Sequence, residues 1–223
     1  METKNDDDRA STLTRLHGTF MILAWVISAS LGHIIARYFK KTWMIWRIYN
    51  YDVWFVIHVA CMGLVWILTI IGFIIIVIDV QTITSSIHSI IGIIVVLVTF
   101  AQPIAVGVVR PEKGSELYKK YYLGHFIAGT LLQVFAVVCI FLSIKLERAY
   151  LPSWMMWAIG SYVLYYIFSH LGFTILDFLG NKKEEKRGLF EDKAYSKYRQ
   201  LYLGLHVVML LTFAIHFLHI LWR

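Results

Sequence analysis

The sequence predicts an all-α integral membrane protein, a bundle of six transmembrane helices. Of its 223 residues, 59% are hydrophobic and only 16% are charged, and the mean hydropathy is +0.66. A soluble domain carries roughly 25% charged residues, so this composition excludes a soluble globular protein. The two cysteines and three prolines also exclude a disulfide scaffold and a collagen-like chain.

Each helix is predicted from an interval that contains no Asp, Glu, Lys or Arg. A helix rises 1.5 Å per residue, so about 20 residues cross a hydrocarbon layer of roughly 30 Å. Membrane barrel strands would alternate polar and apolar residues, whereas residues 71–78 include none that is polar. The six uncharged intervals are residues 16–36, 53–78, 80–109, 121–144, 149–176 and 200–222.

The distribution of basic residues predicts the orientation of these helices. Six of the 21 Lys and Arg residues fall on the side of the N-terminus and 15 fall on the other side. Excess Lys and Arg marks the cytoplasmic face, so both termini are expected outside the cytoplasm, at the plasma membrane or in an endomembrane vesicle. The net charge of +7 therefore reflects topology, and no nucleic-acid partner is predicted.

Histidines are the readily titratable side chains inside these intervals. His17 and His88 begin predicted helices 1 and 3, near the face that holds the N-terminus. His58 and His125 lie near the opposite face, early in helices 2 and 4. A lone histidine in a membrane is more often a packing residue than a ligand. The matching depths nevertheless predict two histidine pairs, one beneath each membrane face.

Such pairs suit a flat iron cofactor, because histidines on facing helices can bind one iron from both sides. Gly92 and Gly129 follow His88 and His125 by four residues, so each presents a helix face without a side chain one turn along. A C-x-x-C-H motif is absent from the sequence, which predicts non-covalent attachment. Cys61 and Cys139 lie in different helices and are predicted to be free thiols.

Four segments carry a resemblance to a known family. They are LHGTFMILAW with His17, WFVIHVACMG with His58, HSIIGIIVVLVTFAQPIAVGVVRP with His88 and YYLGHFIAGT with His125. The sequence resembles the eukaryotic cytochrome b561 family, in particular its ferric-chelate reductase 1-like branch. The resemblance implies two non-covalent haem b groups whose iron ligands are His17 with His88 and His58 with His125.

The same resemblance implies a domain organisation and an activity. Residues 13–145 would form a four-helix dihaem core, after an extracytoplasmic tail at residues 1–12. Residues 146–223 would add two transmembrane helices and a cytoplasmic loop at 177–199. Electrons would pass from a cytosolic donor, ascorbate, to an extracytoplasmic acceptor, ferric iron in a chelate or monodehydroascorbate. The resemblance leaves open whether the protein forms a homodimer.

Basic residues beside His58 and His125 are interpreted in two ways. They satisfy the topology and attract anionic lipid headgroups, and they would also draw an anionic reductant to this face. The candidate substrate-binding residues are Arg37, Lys40, Lys41, Arg47, Arg110, Lys119 and Lys120.

Two other functions remain as alternatives. One is a haem-free accessory or scaffolding protein whose histidines only pack. The other is a metal-ion transporter that uses His170, His206, His216 and His219, which the absence of carboxylates in the six intervals disfavours. At 100° per residue, His33 points about 160° away from His17 and is predicted to lie at the interface. Trp66 is interpreted as a packing residue that would also shorten an electron path.

Overall fold

The predicted fold class is confirmed by six long apolar helices. The computed structural model describes residues 10–43, 46–82, 85–108, 111–112, 114–185 and 195–223. Each of the six helices contains a stretch long and apolar enough to cross a membrane. In chain order they are α1 (Thr12–Tyr38), α2 (Val53–Val80), α3 (Ile87–Val108), α4 (Glu116–Ser143), α5 (Met155–Glu185) and α6 (Ser196–Trp222).

The helix ends explain why the helices differ in length from the uncharged intervals. The hydroxyl of Ser115 accepts a hydrogen bond from the backbone N–H of Tyr118 at 3.1 Å and caps α4, so the charged turn that follows is helical. Ser86 caps α3 in the same way by accepting from the N–H of Ser89 at 3.1 Å. Beyond α2, Gln81 has a φ of 55°, the left-handed conformation that ends many helices.

Helix α5 begins later and ends later than interval 149–176. Its start is delayed by a 3₁₀ turn at Glu147–Ala149, a left-handed Tyr150 with a φ of 47°, and Pro152. It then continues through the charged run to Glu185. The predicted loop at 177–199 is therefore helical up to Glu185 and again from Ser196, and residues 186–194 lie outside the described residues.

Helix α1 contains a wider, π-helical segment at Ile22–Ala29. The hydroxyl of Ser30 donates to the carbonyl of Trp25, five residues earlier, at 3.2 Å. A π-helix advances by less than 100° per residue, because its hydrogen bonds join residues five apart. The 160° predicted between His17 and His33 is therefore wrong, since it assumes a regular α-helix between them.

A short hairpin, absent from the sequence-based expectations, joins α1 to α2. Strands β1 (Arg47–Ile48) and β2 (Tyr51–Asp52) pair antiparallel. Tyr49 and Asn50 have φ values of 49° and 65°, and positive φ at both central residues is typical of the tight turns that join adjacent strands. The hairpin also places Arg47 opposite Asp52, with 3.8 Å between the guanidinium and the carboxylate.

The chain divides into two compact units, and the first comprises residues 1–21, 66–156 and 221–223. Helices α3 and α4 pack together within it. The Asp79 carboxylate accepts hydrogen bonds of 2.7 Å from the hydroxyls of Ser11 and Thr14, which fastens the start of α1 to the end of α2. The indole N–H of Trp222 donates to the hydroxyl of Thr19 at 3.0 Å.

The second unit comprises residues 22–65 and 157–220. Its core brings together buried side chains from α1, from Phe39 directly after α1, and from α5. The members from the two helices are Ile34, Ile35, Tyr38 and Phe173. Arg199, on α6, is 1% exposed and donates to the Asp177 carboxylate at 2.8 Å and to the hydroxyl of Thr42 at 3.1 Å. Both cysteines are free thiols, as predicted.

Candidate haem site

The structure brings His17 and His88 together in the first unit. Their ring centres lie 6.4 Å apart and their ring planes are inclined by 73°. His17 belongs to the first turns of α1 and His88 is the second residue of α3, so the pairing agrees with the prediction from depth. Both side chains are half-buried.

Each of these two rings is held by a backbone carbonyl. Nδ1 of His17 bonds to the carbonyl of Gly72 at 2.9 Å, and Nδ1 of His88 bonds to the carbonyl of Cys139 at 2.9 Å. A carbonyl oxygen only accepts, so Nδ1 carries the proton and Nε2 carries the lone pair. Metal-binding histidines are usually oriented in this way, through a second hydrogen bond from the nitrogen that does not bind the metal.

The separation of the rings suits two ligands of one iron. A bond from a metal to an imidazole nitrogen is about 2 Å long, so two rings bound on opposite sides of one metal have centres roughly 6 Å apart. The observed 6.4 Å agrees with that value. Distance and tautomer together therefore fit a haem b held between His17 and His88.

Gly72 of α2 allows α1 to come close enough for the His17 ring to reach the Gly72 carbonyl. A Cβ added there would lie 2.8 Å from Cε of Met21 and 3.2 Å from Cβ of Phe20, both on α1. Because Gly72 lacks a side chain, its carbonyl comes within hydrogen-bond distance of the His17 ring.

Substituting Gly72 with valine is expected to weaken haem binding at His17 by at least tenfold. The new side chain would push α1 away and lengthen the hydrogen bond that orients the ring. Haem titration of purified protein, followed by absorption, measures this loss. Gly63→Val is the matched control, because a Cβ at Gly63 of α2 would meet no atom within 4 Å. Equal affinities in the two variants would contradict the assignment of Gly72.

His58 has a similar environment in the second unit. Its Nδ1 bonds to the carbonyl of Gly32 at 3.1 Å. A Cβ on Gly32 would lie 3.0 Å from Cβ of Cys61 and would collide with the end of Met62. His58 of α2 therefore bonds to a glycine of α1, just as His17 of α1 bonds to a glycine of α2.

His125, in the first unit, is held by the side chain of a neighbouring helix. Its Nδ1 lies 2.8 Å from the side-chain oxygen of Gln102 on α3. The two residues line a cavity of about 290 Å³ between α3 and α4, with walls that include Ala101, Ala105 and Gly124. Small side chains beside a histidine leave the room that a flat ligand needs.

The two predicted glycines of the site are placed as follows. A Cβ added to Gly92 would meet no atom within 4 Å, so the face of α3 one turn from His88 has room beside it. Gly129 is half-buried on α4. Contact of either glycine with a porphyrin stays a prediction.

Comparison with known proteins identifies the family. The model of the eukaryotic cytochrome b561 family matches residues 16–151, which include all four predicted ligands. The chain belongs to the eukaryotic cytochrome b561 family. Membership implies binding of haem b, in agreement with the geometry at His17 and His88.

Relatives of this cytochrome b561 chain carry names that refer to ferric-chelate reductase 1. A Drosophila melanogaster protein whose name relates it to that reductase is 39% identical over 163 residues, 73% of this chain and 25% of the relative. A similarly named Xenopus laevis protein is 28% identical over 222 residues, 94% and 38% of the two chains. Human ferric-chelate reductase 1 is 28% identical over 158 residues, 70% and 26%.

The chain thus spans about a quarter to two-fifths of the length of these curated relatives. No solved structure gives a significant match.

The remaining histidines of this cytochrome b561 chain have different surroundings. Nδ1 of His170 contacts the hydroxyl of Tyr38 at 3.3 Å. Nδ1 of His206 contacts the hydroxyls of Tyr165 at 2.7 Å and Ser169 at 2.8 Å. These hydroxyl contacts, within the second unit, favour packing roles for His170 and His206. Within the described ranges, no group of three or more His, Cys, Asp and Glu side chains forms a candidate metal site.

The predicted substrate-binding residues are distributed over both units. In the second unit, Arg37 and Lys40 lie over the rings of Tyr38 and Trp54, at 5.5 and 5.2 Å from the ring centres. Lys41 donates to the side-chain oxygen of Asn181 at 3.0 Å. Of the other predicted residues, Arg47 pairs with Asp52, and Lys119 pairs with Glu116 at 2.6 Å. Lys120 is exposed, and Arg110 lies outside the described residues.

Sequence reasoning missed the groups that orient the ligands. These are the carbonyls of Gly32, Gly72 and Cys139 and the side chain of Gln102. Any residue offers a carbonyl, so three of the four carry no sequence signal. Gln102 did carry one, because an amide side chain in an apolar span needs a polar partner. Trp66, interpreted as a packing residue, stacks on Phe100 with ring centres 6.0 Å apart.

Proposed function

We propose that this chain transfers electrons across a membrane as a transmembrane oxidoreductase with two haem b groups. The donor would be cytosolic ascorbate, and the acceptor would be extracytoplasmic ferric iron in a chelate or monodehydroascorbate. One observation carries the proposal: the His17 and His88 rings lie 6.4 Å apart, and each directs its Nδ1 proton to a backbone carbonyl. Two neutral imidazoles arranged in this way are suited to bind one iron.

The residues of the chain would hold and insulate the cofactors. Haem, when bound, supplies a reversible one-electron couple between ferric and ferrous iron. His17 and His88 would each present Nε2 to the metal while their Nδ1 bonds prevent the rings from turning. The apolar side chains that dominate α2, α3 and α4 would exclude water and ions from the path.

A second haem is proposed at His58 and His125. The support comes from the sequence pairing, from the family match over residues 16–151, and from the bond that each ring makes in its own unit. Each Nδ1 contacts a carbonyl or amide oxygen, so each ring has the same tautomer as His17 and His88. Their pairing across one iron is part of the proposal.

The basic residues would guide the donor. Ascorbate is an anion near neutral pH, so a group of Lys and Arg side chains at the cytoplasmic face raises its local concentration. The proposed topology places Arg37, Lys40, Lys41 and Arg47 at that face, since both termini would be extracytoplasmic. The names of the relatives support a ferric chelate as the acceptor.

Reconstitution of the purified protein into vesicles tests the proposed function. We expect the protein to show the Soret and α bands of b-type haem, with two haems per chain, and to be reduced by ascorbate trapped inside. Ferric citrate added outside should then reoxidise it, whereas vesicles without protein should transfer no electrons. Protein purified from haem-supplied cells without these bands would refute the proposal and favour a scaffolding role.

A further inference from the structure

We propose that Gln102 is a positioning residue that sets the reduction potential of the haem bound by His125. It would do so through the hydrogen bond to Nδ1, the ring nitrogen that faces away from the iron. The inference rests on the proposed function, because it concerns the second of the two proposed haems.

Gln102 differs in kind from the groups that hold the other three rings. His17, His58 and His88 bond to the backbone carbonyls of Gly72, Gly32 and Cys139, and these acceptors are the same whatever side chain is present. The partner of His125 is a side-chain oxygen at 2.8 Å, supplied by the neighbouring helix α3. At this ring a single substitution can therefore strengthen or remove that acceptor.

The amide of Gln102 must present its oxygen for His125 to bind iron. With the oxygen as acceptor, the ring proton stays on Nδ1 and Nε2 keeps its lone pair. If the amide nitrogen donated instead, the proton would lie on Nε2 and would block coordination. The observed contact, from Oε1 to Nδ1, is the orientation that coordination requires.

Acceptor strength at Nδ1 changes how much electron density the ring gives to iron. A stronger acceptor draws the Nδ1 proton away, makes the imidazole more basic and stabilises ferric iron over ferrous iron. The reduction potential then falls. Removal of the acceptor has the opposite effect. An amide oxygen lies between a carboxylate and no acceptor, so both directions are accessible at position 102.

Redox titration of the purified holoprotein, followed by absorption, tests this inference. Gln102→Glu should lower one of the two midpoint potentials and Gln102→Leu should raise the same one. We expect each substitution to change the ferric to ferrous ratio at a fixed potential by about tenfold, which for one electron is about 59 mV. The other haem is an internal control, because its ligands bond to backbone carbonyls. Thr99→Val is the matched control, since it removes a buried hydroxyl from α3 one turn earlier.

The possible outcomes separate this inference from the proposed function. Wild-type protein without haem would refute the proposed function itself. Two haems whose potentials are unchanged in both Gln102 variants, or are both shifted in one direction, would refute the role of Gln102 alone. If Gln102→Leu loses one haem, Gln102→Glu decides: a lowered potential supports the inference and an unchanged potential overturns it.

Discussion

Replacing His88 with alanine is expected to remove one of two haems and to leave the other in place. The ring centres of His88 and His17 lie 6.4 Å apart, so either ring alone would offer the iron only one of the two proposed protein ligands. Loss of one strong ligand in an apolar site should lower the affinity for haem at least a hundredfold. His17→Ala should remove the same haem, and the double variant should lose no more than either single variant, because the two ligands act as one unit.

The haem to protein ratio and the reduced-minus-oxidised spectrum measure this loss. His170→Ala is the matched control, because His170 is also a half-buried histidine of a membrane span but contacts the Tyr38 hydroxyl. Tyr38 keeps contacts to the His170 carbonyl and to Thr174 in that variant, so the fold should tolerate it. Loss of haem in His170→Ala, with full occupancy in His17→Ala and His88→Ala, would contradict the assignment.

Much of the fold followed from where charges are absent. A charged side chain in the hydrocarbon layer is costly, so intervals without Asp, Glu, Lys and Arg mark the spans independently of any packing detail. Depth along those spans then predicted that His17 meets His88, because straight helices of known rise leave few alternatives. The ends were harder to predict. Ser115 and Glu116 extend α4 into charged sequence, since capping and helix propensity do not depend on the bilayer.

The features that escaped prediction depend on contacts between helices distant in sequence. Gly72 and Gly32 matter because they allow α1 and α2 to come close. In the sequence they look the same as Gly63, another glycine in an apolar run, which has open space around it. The π-helical turns at Ile22–Ala29 have no simple sequence signature either. They change the rotation of every residue beyond them on α1, which is why the angular prediction for His33 was wrong.

The partner of Nδ1 differs between the four predicted ligands and two other histidines of this chain, His170 and His206. His17, His58, His88 and His125 bond to carbonyl or amide oxygens, which only accept and so keep the proton on Nδ1. His170 and His206 contact hydroxyls, which donate or accept and leave the tautomer open. The four predicted ligands therefore share the tautomer that leaves Nε2 with a lone pair for a metal.

Substituting Asp177 with asparagine is expected to destabilise the protein by about 3 kcal/mol. Arg199 is only 1% exposed, and its guanidinium donates to Asp177 at 2.8 Å. Removing one partner of a buried ion pair costs about 3–5 kcal/mol, because the remaining buried charge loses the opposite charge beside it. The lower end applies here since the Asp177 side chain is 36% exposed. Thermal unfolding in detergent should show a Tm lower by roughly 6–12 °C.

Glu116→Gln is the matched control for this substitution. Glu116 and Lys119 form a shorter ion pair of 2.6 Å, but their side chains are 80% and 69% exposed. Exposed pairs contribute less than about 1 kcal/mol, so the Tm should hardly move. Equal losses of stability in the two variants would contradict the importance of burial.

Substitutions of Arg199 and of Asp177 should also cost different amounts of stability. Arg199→Met leaves a carboxylate that is partly exposed and can be hydrated, whereas Asp177→Asn leaves a guanidinium that cannot. The single change at Asp177 should therefore be the more damaging. Combining both substitutions removes the uncompensated charge and should recover most of the lost stability. A double variant less stable than Asp177→Asn alone would show that Arg199 acts through its packing and its bond to Thr42, and not through its charge.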